Sequence, residues 1–109
     1  MKAEELRIGN WVSTAGCNIR VCPKDYEDTK YLHPIPLTEE ILLKAGFEGN
    51  YQYEKFNKDG SIDYVICADD VMKVYVGCGS EYYVRDLLYV HDLQNFHFAL
   101  TGEELEIQL

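Results

Sequence analysis

The stretch Tyr51-Gln52-Tyr53-Glu54-Lys55-Phe56-Asn57-Lys58-Asp59-Gly60-Ser61-Ile62-Asp63-Tyr64-Val65-Ile66-Cys67-Ala68-Asp69-Asp70-Val71-Met72-Lys73-Val74-Tyr75-Val76 decides the fold. Tyr51 and Tyr53 alternate with Gln52 and Glu54. Ile62, Tyr64 and Ile66 alternate with Asp63 and Val65, and Met72, Val74 and Val76 with Lys73 and Tyr75. A period of two places alternate side chains on opposite faces of a strand. Asn57-Lys58-Asp59-Gly60 supplies a hairpin loop with glycine where a positive φ is needed, and Asp69-Asp70 supplies the next turn. Gly77-Cys78-Gly79-Ser80 turns the chain once more. The pattern predicts an antiparallel meander over 50–90. One or two short strands are expected over 82–88, where Arg85-Asp86 interrupts the alternation.

A short helix precedes the meander. Pro34 and Pro36 hold the approach extended, and Thr38 can cap the free N–H groups of the first turn. Glu39 and Glu40 sit at the positive end of the helix dipole, and Lys44 lies in the last turn. Leu37 and Leu42 have the spacing of a hydrophobic staple. Gly46 can end the helix in the left-handed conformation, with Phe47 folding back onto Leu42. This predicts a helix near 38–45. A second helix is predicted near 90–101, with Tyr89, Val90, Leu93, Phe96, His97 and Leu100 on one face and Gly102 as its cap. Leu105, Ile107 and Leu109 then alternate with Glu104, Glu106 and Gln108, which reads as a last strand. Residues 1–36 read as short strands: Leu6-Arg7-Ile8, Trp11-Val12 after Gly9-Asn10, and Ile19 and Val21 after the turn at 15–18. Such an opening is common in SH3-like barrels and in other β folds. The whole, residues 1–109, reads as a single α+β domain, mainly antiparallel sheet with two helices.

Composition narrows the function. With 109 residues, 47% hydrophobic and 27% charged, the chain is globular. Ten Lys and Arg against 19 Asp and Glu leave a net charge of −9. That argues against direct binding of nucleic acid, which requires clustered cations. No run approaches the roughly 18 apolar residues of a membrane span, and the first thirty residues carry no signal-peptide pattern. A cytoplasmic protein that does not engage a membrane is expected. Cys17, Cys22, Cys67 and Cys78 lack the close spacing of a zinc site, and His33, His91 and His97 do not complete one, so four reduced thiols and no metal are expected.

No nucleotide-binding, zinc-protease or nucleophile-elbow motif is present, and Gly77-Cys78-Gly79 lacks the context of a nucleotide loop. Asp69-Asp70 reads as a solvated turn, and Cys67 or Cys78 with His91 has no supporting signature as a nucleophile pair. No catalytic residue and no cofactor are assigned, and enzyme activity is the less favoured class. The residues singled out for binding a partner are His91, Gln94, Asn95 and Phe98, on the side of the second helix away from Leu93, together with Tyr82 and Tyr83. An aromatic ring among donors and acceptors suits an interface anchor with a polar rim. The alternative is that this helix side packs on residues 1–36 of the same chain.

Three blocks carry a resemblance: Glu5-Leu6-Arg7-Ile8-Gly9-Asn10-Trp11-Val12; Pro34-Ile35-Pro36-Leu37-Thr38-Glu39-Glu40-Ile41-Leu42-Leu43-Lys44; and Val90-His91-Asp92-Leu93-Gln94-Asn95 with Phe98-Ala99-Leu100-Thr101-Gly102-Glu103-Glu104-Leu105. Together they resemble a family of small uncharacterised proteins carried by prophages and conjugative elements of gut anaerobic bacteria. The resemblance covers about a third of the chain and implies a mobile-element origin, with no activity or site residue to transfer. A small accessory or interaction protein is the expectation, with a protein partner or self-association. An acidic decoy of a DNA-binding protein, and a small-ligand binder or enzyme with an unrecognised pocket, are the alternatives.

Overall fold

Trp11–Thr14 (β1) and Cys17–Arg20 (β2) pair antiparallel across a two-residue turn in which Ala15 and Gly16 both take positive φ, 51° and 80°. Positive φ at both positions suits the right-handed twist of the flanking strands. The structure is a computed structural model and describes residue 1 and residues 3–27, 29–76 and 82–109. Of the strands expected over 1–36, β1 and β2 form this hairpin, Leu6-Arg7-Ile8 is not a strand, and short 3-10 turns stand at Ala3–Glu5, Pro23–Glu27 and Thr29–Tyr31.

The first helix, α1, is Glu39–Lys44. Thr38 Oγ1 accepts from Ile41 N–H at 3.3 Å, as its N-cap position requires. At the other end Gly46 is left-handed (φ 93°) and Phe47 N–H returns to Leu42 O at 3.0 Å. Lys55 Nζ reaches across to donate to Ala45 O at 2.7 Å, placing a cation at the negative end of the helix. Leu37, Leu42 and Phe47 are all buried in one cluster, as the staple and the helix end predict.

The meander is a five-stranded antiparallel sheet in sequence order: Glu48–Gly49 (β3), Gln52–Phe56 (β4), Ile62–Ala68 (β5), Met72–Val76 (β6) and Tyr82–Leu87 (β7). Residues 82–87 make one strand. The interruption read at Arg85-Asp86 is a register shift: Val74 pairs with Arg85 but Tyr75 pairs with Tyr83. The turn expected at Gly77-Cys78-Gly79-Ser80 lies outside the described residues.

The second helix, α2, is Val90–Thr101, closed by Gly102 in the left-handed conformation with its N–H on Phe98 O at 2.8 Å. Asp92 Oδ2 accepts Tyr89 N–H at 3.0 Å, satisfying an orphan donor at the helix start. The predicted apolar stripe is buried at Val90 and Leu93 and partly covered at Phe96 and His97, but Leu100 is exposed. The strand expected at 105–109 is not formed. Leu105 and Ile107 are buried as their alternation implied, yet Ile107 O is taken by side-chain donors, Trp11 Nε1 at 3.0 Å and Arg20 Nη2 at 3.3 Å.

Two apolar cores result. The larger joins one face of the sheet (Tyr53, Tyr64, Ile66, Val74, Leu87) to α1, α2 and the C-terminal segment. The smaller gathers Leu6, Val12, Val21 and Leu32 inside the N-terminal region. β1 divides them, sending Trp11 to the first and Val12 to the second.

Candidate functional site

The side of α2 singled out from the sequence is a joint inside the chain. Gln94 Oε1 accepts Trp11 N–H at 2.7 Å and Gln94 Nε2 donates to Gly9 O at 3.2 Å. Asn95 Oδ1 accepts from Asn10 Nδ2 at 2.9 Å and from Arg7 Nε at 2.8 Å, and Asn95 Nδ2 donates to Glu5 O at 3.1 Å. Arg7 also donates to Gln94 O at 3.1 Å, pairs with Glu104, and lies 4.4 Å above the Phe98 ring. His91 and Gln94 are buried. The interface assignment of His91, Gln94 and Asn95 is therefore corrected: residues 5–11 of the same chain satisfy Gln94 and Asn95, and burial removes His91 from contact with any partner. Phe98 keeps 40% of its surface, with the Arg7 guanidinium over its face. The sequence reading had not singled out Arg7 or Asn10, the residues that complete this joint.

His91 and Cys67 are not brought together. Cys67 pairs in register with Gln52 and Lys73, on the sheet face opposite to that of Ile66 and Val74, which meets the helices. Burial pushes the Cys67 thiol above its ordinary value, away from the thiolate that a nucleophile needs. Cys17 and Cys22 are likewise free thiols, and Cys78 lies outside the described residues. Among the described residues no three metal-binding side chains converge, and no helix is long and apolar enough to cross a membrane. A cleft of about 720 Å³ lies between the β4–β5 hairpin and the end of α2, among Lys55, Phe56, Lys58, Asp63, Leu100 and Glu103. Neither His91 nor a described cysteine lines it.

The remaining pair, Tyr82 and Tyr83, are both exposed on β7, the edge strand. Tyr83 points to the outer face of the sheet. The register aligns Glu54, Val65, Tyr75 and Tyr83 across four strands, and the Tyr75 and Tyr83 rings meet edge to face at 5.7 Å. Tyr83 donates to Asp86 Oδ1 at 2.6 Å, which fixes its ring. Val65 is 6% exposed yet belongs to neither core. A solvated face of an antiparallel sheet ordinarily carries polar side chains. This one carries Val65, Cys67, Tyr75 and Tyr83 among the polar Gln52, Glu54, Lys73 and Asp86.

One buried histidine, His91, and one half-buried, His97, give stability an expected dependence on pH. Burial lowers the pKa of His91, against the opposing pull of Asp92 and Glu5 and with a smaller push from Arg85. Burial also lowers that of His97, whose Nδ1 shares a 2.8 Å hydrogen bond with Tyr64 OH. Both imidazoles bind protons less tightly folded than unfolded. Their contribution is whole above the unfolded value of about 6.5 and is lost as pH falls below it. The urea midpoint is expected to fall between pH 7.5 and 5.5, and to fall less in His97→Gln. Equal losses in the two proteins would show that His97 takes no part.

Comparison with family models, with curated proteins and with solved structures finds no match to the chain.

Proposed function

We propose that this chain is a non-enzymatic interaction protein, an accessory of the mobile-element kind that its three blocks resemble. In this reading it meets a protein partner on the outer face of its five-stranded sheet. The observation that carries the reading is Val65, buried outside both cores among the described residues and aligned with Tyr75 and Tyr83 on a face where Tyr83 stays exposed. Large amphipathic rings around a desolvated centre are what a protein interface uses. A photo-crosslinking amino acid placed at Tyr83, and separately at Tyr31, which is somewhat more exposed, tests it in the native host. Protein adducts are expected from position 83 and not from position 31. Equal or absent adducts at both positions would overturn the reading.

A further inference from the structure

We infer that the partner offers this face a basic segment whose arginines stack on the Tyr75 and Tyr83 rings, an inference that rests on the reading above. Four carboxylates border the rings: Glu54 pairs with Val65 in register, Asp86 with Lys73, and Asp69 and Asp70 lie at the turn beside them. Lys73, the cation among them, stands 3.8 Å from both Asp69 and Asp70. Arg85 is turned toward Asp92, 3.8 Å from its carboxylate. The face is therefore net negative on a chain that carries −9 overall.

That charge selects the occupant. A second copy docked face to face would set these carboxylates against their own images, and like charges at an interface oppose docking. Nucleic acid and anionic lipid meet the same repulsion. A cationic segment is drawn in, and arginine suits tyrosine faces better than lysine because its planar guanidinium stacks as well as pairs. The Arg7–Phe98 contact at 4.4 Å shows the same geometry within the chain.

The test measures fluorescence anisotropy of labelled hexa-arginine and hexa-lysine peptides with the full chain. Saturable binding of hexa-arginine is expected, tighter than that of hexa-lysine, and weakening as salt rises because exposed charges are screened. Tyr83→Ser is expected to weaken hexa-arginine by about tenfold through loss of a stacking face. Asp86→Asn is expected to weaken it as well, and Tyr31→Ser to leave it unchanged. Tyr83 is 53% exposed, so its substitution leaves the fold standing. Absence of saturable binding, equal affinity for hexa-lysine, or an equal loss in Tyr31→Ser would overturn the inference. Sequencing the peptides crosslinked from position 83 separates the two proposals. Lys- and Arg-rich peptides support both. Acidic or apolar ones leave the sheet-face reading standing and overturn this one.

Discussion

A chain ended after Gly102 is expected to lose cooperative folding. The removed segment holds Leu105 and Ile107, both buried in the larger core, and Ile107 O, the acceptor of Trp11 Nε1. Truncating a buried Leu or Ile costs about 2–5 kcal/mol in other proteins, so the two together approach the roughly 5–15 kcal/mol that holds a domain of this size. The buried indole N–H adds its own penalty when its acceptor goes. Arg7 loses Glu104 as well, a half-exposed pair whose contribution is small. The measurement is amide dispersion in the NMR spectrum together with a urea melt. Collapsed dispersion or a non-cooperative melt is the expected result. A truncated protein melting within a few degrees of the full chain would show that 103–109 only decorates the core. The paired variant Leu105→Ala with Ile107→Ala keeps the backbone and isolates the side-chain part.

What the sequence disclosed follows from which interactions are local. Both helices end where their caps lie, because Thr38, Gly46 and Gly102 act on backbone groups within a few residues. The meander was legible because alternation is a local record of a face buried on the helices. The segment 105–109 shares that alternation without being a strand. Periodicity reports burial, and only a ladder partner makes a strand; here Trp11 and Arg20 side chains take the Ile107 carbonyl instead. The second side of α2 was misread for a related reason. Gln94 and Asn95 have the composition of a solvated face, and nothing local separates a polar residue in water from one satisfied by residues 83 or more positions away. Tyr82 and Tyr83 are adjacent strand residues, which point to opposite faces. Both are exposed, because the strand runs at the sheet edge. The outer face went unread, since Val65 and Tyr75 differ from ordinary strand residues only once the register lines them up.

The joint itself yields the second large effect. Gln94→Leu is expected to destabilise the chain by about 2–5 kcal/mol, because it removes two hydrogen bonds and leaves both backbone partners behind. The Trp11 N–H bonds Gln94 Oε1 at 2.7 Å inside the protein, and Gly9 O accepts from Nε2 at 3.2 Å. An unpaired buried donor or acceptor costs about 1–3 kcal/mol each, more than the net worth of the bond it replaces. Leucine nearly matches glutamine in size, so lost packing contributes little and the polar term is read directly. The neighbouring polar groups compound the effect. Asn10 is fully buried and bonds Arg7 N–H at 2.7 Å through its Oδ1, so the loop 7–10 is braced from its own side chain as well as from α2. Freed from the Gln94 side chain, that loop keeps its bonds to Asn95 and the Arg7 bond to the Gln94 backbone carbonyl as polar tethers to the helix. Urea melts of the variant, with amide exchange at Trp11, are the measurement. A loss below about 0.5 kcal/mol, surface behaviour, would mean that water replaces the glutamine. The joint would then be wet.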